Sequence, residues 1–188
     1  ATNAANVTVG GGRVILESDL AVNGTGAFTL TGGTLQLGNN TATGSINGGL
    51  AFNATAGSLI FNRSDNATYS GVFSGTGSLT QAGTGNLTLT SANTYTGVTT
   101  VSAGTLTLDS GASLASSGFT TAAGATLALN ASTTVTTLSG FGNIQIGSGA
   151  TLTLNNSTGQ SIGSGGASSL ASTGAFSGAG TFVKTGTG

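Results

Sequence analysis

The 188-residue chain contains no cysteine, histidine, proline, methionine or tryptophan. Without histidine and cysteine it has no Ser-His-Asp triad, no thiolate nucleophile, no disulfide framework and no zinc site of the common kinds. Charge is also scarce, with three basic and four acidic side chains making up 4% of the chain, where an ordinary globular domain carries about a quarter. Arg13, Arg63 and Lys184 cannot form the basic stripe that a phosphate backbone requires, so nucleic acid is not an expected partner, and neither is an anionic membrane surface. No apolar run approaches the ~18 to 20 residues of a spanning helix, and residues 1–20 lack a charged stretch followed by an apolar one. The expectation from these absences is a protein that is not an enzyme and that has no catalytic, cofactor-binding or metal-binding residues.

Glycine, by contrast, is abundant, with 35 residues, and 37% of the chain is apolar with a mean hydropathy of +0.27. Disordered Gly/Ser/Thr-rich chains are poor in apolar residues, so this composition indicates a folded chain of an unusual kind. One phrase recurs, a glycine followed by an alternating apolar pair. It runs Gly33 with Leu35 and Leu37, Gly57 with Leu59 and Phe61, Gly85 with Leu87 and Leu89, and Gly104 with Leu106 and Leu108. It returns as Gly124 with Leu127 and Leu129, and as Gly149 with Leu152 and Leu154, while Gly77 with Leu79 is a half-copy.

A period of two places both apolar side chains on one face of a strand and Thr, Ser or Asn on the other. A unit of about 20 to 25 residues is too small to bury its leucines alone, so the units are expected to stack as a solenoid. The fold expected is all-β, a right-handed single-stranded parallel β-helix of about eight or nine coils, roughly 40 Å long at one coil per ~4.8 Å. Its leucine phrases would form one continuous inner column. Shorter β-branched or aromatic runs, Asn6–Val9, Val14–Leu16, Ala27–Leu30, Thr99–Val101 and Asn143–Ile146, supply further strands. The alternative is an antiparallel sandwich, which does not require a repeated phrase.

The most specific pattern lies in residues 75–108. Gly75, Gly77 and Leu79 are followed by Gly83, Gly85, Leu87 and Leu89, then by Asn93, Tyr95 and Gly97 in an Asn-Thr-Tyr-Thr-Gly segment, then by Gly104, Leu106 and Leu108. This resembles the passenger-associated repeat of bacterial type V autotransporters, with Gln81 where that repeat usually has lysine. Residues 178–188 resemble the start of a second, truncated copy, with Lys184 at the lysine position. The resemblance implies that residues 1–188 are one β-helix segment of a longer passenger. It further implies export through the periplasm, a C-terminal outer-membrane barrel outside this sequence as partner, and a place on the cell surface or in the medium. A host-cell protein or glycan is the implied target, and a role in secretion through sequential folding is implied as well. Cut solenoid ends also suggest end-to-end self-association.

Few other residues invite a site. Glu17 and Asp19, two apart, would share a strand face and are the one carboxylate pair that a carbohydrate-active solenoid would use, although a solvated outer face is the simpler reading. Asp65 beside Arg63 reads as a surface turn closed by an Asx-type bond, and Asp109 before Ser110-Gly111 as another. Tyr69 and Tyr95, in matching contexts, read either as rings for stacking on sugars or as rings covering the core edge at a turn with the hydroxyl in water. The asparagines that open these segments would stack as a ladder along the rod. The outward residues of the leucine phrases vary too much for an ice-binding lattice.

Overall fold

In the computed structural model, residues 7–21, 27–44, 46–47, 51–155 and 176–185 are described, and they contain strands and turns but no helix. Every strand pairing is parallel, so the chain winds as a β-solenoid, the class expected, and a sandwich is excluded. Each turn of the winding lays down strands on three faces in succession. The first face is one seven-stranded sheet: Arg13–Leu16, Thr34–Thr41, Ser58–Arg63, Ser78–Gln81, Thr99–Val101, Gly118–Thr121 and Thr137–Gly140. The second face is a six-stranded sheet from Ala67–Tyr69 through Asn86–Leu89, Thr105–Leu108, Thr126–Leu129 and Asn143–Ile146 to Phe176–Ser177. The third begins as four strands, Val7–Val9, Ala27–Leu30, Ala51–Ala54 and Phe73–Gly75, and continues through Ala92–Asn93 and Ser113–Leu114 to Thr133–Val135, Thr151–Asn155 and Thr181–Thr185. All five runs singled out as secondary strands are strands, Asn6 of the first lying outside the described residues.

One expectation needs correction. The seven strands of the longest sheet span six complete turns, and the nine strands of the third face run beyond it, close to the eight or nine coils expected. The leucine phrases, however, do not form one column. Those at Gly33, Gly57 and Gly77 lie on the first face, those at Gly85, Gly104 and Gly124 on the second, and that at Gly149 on the third. The reason is a mismatch of periods. On the first face Leu59 stacks on Leu79, 20 residues on, so the half-copy completes the turn, and Leu87, only eight residues later, already belongs to the next face.

The alternation holds over Ser58–Arg63, Ser78–Gln81 and the second-face phrases, but Gln36, between Leu35 and Leu37, is itself buried. Leu79, Leu87, Leu89, Leu106, Leu108, Leu127 and Leu129 all point inward and are buried, with Thr, Ser, Asn or, at 128, Ala in the alternate positions. Burying each leucine contributes about 1.5–3 kcal/mol, which is where the cohesion of such a charge-poor chain resides. On the second face the inner columns read Leu87, Leu106, Leu127, Ile144 and Leu89, Leu108, Leu129, Ile146. The third face carries an aromatic column instead: Phe28 stacks on Phe52 at 5.2 Å and 25° between ring planes, and Phe73 meets Tyr95 at 4.6 Å.

Candidate functional site

The segment 75–108 occupies the middle of the solenoid, and its motif residues have distinct structural places. Leu79 is on the first face, Leu87, Leu89, Leu106 and Leu108 on the second, and Gly75 ends a third-face strand. Gly77, Gly83, Gly85, Gly97 and Gly104 mark corners where successive turns touch through backbone. A Cβ on Gly57 would stand 2.4 Å from the Gly33 carbonyl oxygen, one on Gly77 2.7 Å from that of Gly57, and one on Gly97 2.2 Å from that of Gly77. The corner between third and first faces is thus a glycine stack, which any side chain would force apart. Gly85 and Gly104 stack in the same way at the corner between first and second faces, where a Cβ on Gly104 would lie 2.2 Å from the Gly85 carbonyl oxygen. Close approach between turns, as well as turn chemistry, explains why the phrase opens with glycine.

Gln81, Asn93, Tyr95 and Thr99 of the segment are turned inward, each with a partner. Gln81 is buried on the first face, and its side-chain amide donates to the carbonyls of Gly83 and Gly85 at 3.0 Å each, holding the corner closed. A neutral amide serves here without the desolvation that an ammonium would suffer. Asn93 is buried as well: its Oδ1 accepts from the Phe73 backbone N–H at 2.9 Å, and its Nδ2 donates to the Ser91 carbonyl at 2.8 Å. The neighbour stacked on Asn93 is Leu114, so the expected asparagine ladder does not form at this position.

Tyr95 is wholly buried, and its hydroxyl is 2.6 Å from the Thr99 hydroxyl, which donates to Ser116 at 3.0 Å. Ser116 Oγ lies 2.8 Å from the Gly97 carbonyl and 2.9 Å from that of Gly118, donor to acceptor in each case. Burial pushes the phenol well above its usual range, and the Thr99 hydrogen bond opposes that shift. Tyr69 is also buried, packed on Phe52 and Phe61, and burial raises its phenol in the same way. The expected hydroxyl in water is therefore wrong for Tyr95, and neither ring presents a face on which a sugar could stack. A tyrosine four residues before a threonine, at a corner, was the signal available in the sequence for this internal bond.

The charged residues gather elsewhere. Arg63 is buried at the end of a first-face strand and makes a two-pronged bond to Asp65, Nε to Oδ1 at 2.9 Å and Nη2 to Oδ2 at 2.8 Å. It also reaches Asp19 at 3.5 Å and donates to the Ala42 carbonyl. Asp65 consequently pairs with a guanidinium, where an Asx-type turn was expected. Glu17 and Asp19 lie beyond the strand that ends at Leu16, and they face different partners, with Asn39 donating to Glu17 at 3.1 Å. They do not form a carboxylate pair on a strand face. Asp109 behaves as read, its Oδ1 accepting from the Ser110 N–H at 2.9 Å. Among the described residues no three of Asp, Glu, His or Cys converge on a point where a metal could sit.

A corner built on stacked glycines, with Asn93, Gln81 and Tyr95 turned inward, is what the motif of residues 75–108 encodes, and sequence comparison recognises that motif. Residues 79–108 match the Passenger-associated-transport-repeat family. The chain is similar to autotransporter passenger sequence. It is 37% identical over 169 residues to the adhesin BmaC autotransporter of Brucella suis biovar 1 (strain 1330), an alignment covering 86% of this chain and 5% of that protein. The chain therefore spans about one twentieth of the length of the curated relative it matches. No solved structure matches it.

Proposed function

We propose that this chain is a non-enzymatic, surface-exposed or secreted stretch of an autotransporter passenger, a β-solenoid stalk that serves an adhesin or host-interaction role and assists its own export by folding turn upon turn. The observation that carries the reading is the repeat at 79–108, built from inward leucines and glycine corners that bind each turn to the one before it. The likeness to an adhesin favours the surface role, with a host protein or glycan as target. In this reading the chain reaches the outside through the periplasm and an outer-membrane barrel that belongs to the same polypeptide. Residues 75–108 act as one repeat, and residues 178–188 open a second, of which 186–188 lie outside the described residues. Self-stacking through solenoid ends belongs to the same reading.

The physical account of export is a ratchet. Each turn gains its leucine burial only after leaving the pore, and no proline isomerisation or disulfide exchange delays it. Replacing Leu87 and Leu106 by Asp in the full-length parent protein puts two uncompensated carboxylates in one inner column. Surface display, read by antibody binding to intact cells, is expected to fall at least about tenfold, in keeping with the cost of buried unpaired charge. Undiminished display of the double variant contradicts the export role. The carbohydrate-active alternative gains no support from Glu17 and Asp19, whose carboxylates are engaged separately.

A further inference from the structure

The second-face strands Asn86–Leu89, Thr105–Leu108 and Thr126–Leu129 offer the same inner pair, leucine and leucine, to whatever stacks on them. Apolar burial does not distinguish one such rung from the next, so on this face a turn could be looped out and the ladder rejoined one rung later with equal contact. Backbone pairing is equally indifferent, because every rung is parallel.

What differs from turn to turn is the corner between the third and first faces. Tyr95 and Thr99 lie in one turn, and Ser116, which receives the Thr99 hydrogen bond, lies in the next. Ser116 stands three residues ahead of Phe119, the residue opposite Thr99. One turn further on, the residue three ahead of Leu138, which is opposite Phe119, is Val135, buried and without a hydrogen-bonding side chain. Skipping a turn would keep the Tyr95–Thr99 bond but leave the Thr99 hydroxyl without its acceptor, facing an apolar residue in a dry interior, an arrangement that disfavours a buried polar group.

We propose that the buried hydroxyl chain Tyr95–Thr99–Ser116 is a register lock, which selects the one turn that stacks on the repeat while the leucine column supplies cohesion without selectivity. It acts as a single buried polar residue does in a coiled-coil seam, trading cohesion for uniqueness. This goes beyond the proposed role in export and does not depend on it.

Because the chain has no cysteine, introduced cysteines report the register directly. Thr88 and Thr107 are opposite one another on adjacent rungs, and Thr107 is opposite Ala128. Adjacent rungs are ~4.8 Å apart, within disulfide reach, while Thr88 and Ala128 are two rungs apart, about 10 Å, beyond the ~7 Å limit. In the 188-residue chain, Thr88→Cys with Thr107→Cys should cross-link within the monomer and Thr88→Cys with Ala128→Cys should not. Adding Tyr95→Phe, Thr99→Val and Ser116→Ala, which remove hydroxyls and little volume, should raise the intramolecular Thr88→Cys/Ala128→Cys yield about tenfold. An unchanged yield overturns the lock. So does an equal rise with Leu106→Met in an otherwise unaltered chain, since the column would then be the selector. Loss of the strand signal in circular dichroism when the three hydroxyls are removed also overturns it, since the hydroxyls would then supply stability and not selectivity.

Discussion

The first turns and the turns from the repeat onward solve the same stacking problem differently. From Val14 to Leu35 to Leu59 the first-face repeat is 21 and then 24 residues, whereas from Leu59 through Leu79, Thr99 and Phe119 to Leu138 it is 20, 20, 20 and 19. The 24-residue turn contains the eight-residue strand Thr34–Thr41, whose pairing is irregular between Leu37 and Thr41, and Asn40 there takes a positive φ of 58°. Arg63 from the following turn donates to the Ala42 carbonyl beside this irregular stretch and pairs with Asp19 and Asp65. From Asn66 to Val183 the sequence has a single charge, Asp109. Ion pairs therefore accompany the turn that departs from the common length, and uniform turns are held by backbone ladders, glycine corners and leucines.

The sharpest test of this contrast is steric. Gly97→Ala forces a methyl to 2.2 Å from the Gly77 carbonyl oxygen and is expected to destabilise the chain by about 4 kcal/mol or more, whereas Gly111→Ala, with nothing within 4 Å, should stay within about 0.5 kcal/mol. Urea unfolding of the two variants measures both. Removing inner side chains comes next: Phe52→Ala in the aromatic column and Leu106→Ala in the aliphatic one should each lose about 3 kcal/mol, and a much smaller loss at either would mean that its column tolerates collapse.

Arg63→Ala should weaken the early turns by about 2 kcal/mol, since both carboxylate partners keep substantial contact with water. Hydrogen exchange should rise over 34–44 and stay unchanged over 105–146. A rise across both regions would erase the distinction drawn between them.

At high pH the two buried tyrosines set the response. Their phenols keep protons in the folded chain that the unfolded chain releases above about pH 10, so this contribution is complete below that pH and declines as pH rises past it. Thermal melts from about pH 8 to about pH 12 should fall, and tyrosinate absorbance should appear together with loss of strand signal. Tyrosinate appearing in the folded chain would mean the rings are open to solvent. The smallest effect is a gain. Thr121 Oγ1 is buried without a hydrogen-bond partner, directly opposite Val101, and Thr121→Val should stabilise by about 1 kcal/mol in the same urea assay.

Much of this was legible in the sequence because a strand needs only local information. Leu87 and Leu89 have to share a face whatever surrounds them, and a glycine opening each phrase signals a corner. The family likeness followed from the same residues, Asn93, Tyr95 and Gly97 at their spacing. The partners of the polar residues were not legible. Asp65 has Asn66 and Arg63 as sequence neighbours and could have closed a turn, but the guanidinium beside it is fixed by contacts to Ala42 and Asp19 from earlier turns. Tyr95 looked peripheral because nothing in its own segment indicates that Ser116, 21 residues away, completes its surroundings through Thr99.

Alternating apolar residues and recurring glycines were enough to point to a stacked winding and to inward leucines, because these follow from side-chain direction and from the repeated phrase. Only the tertiary structure decided which phrase lies on which face and which polar groups meet inside. Those outcomes depend on the number of residues per turn relative to the phrase spacing, and a difference of a few residues moves a leucine pair from one sheet to the next.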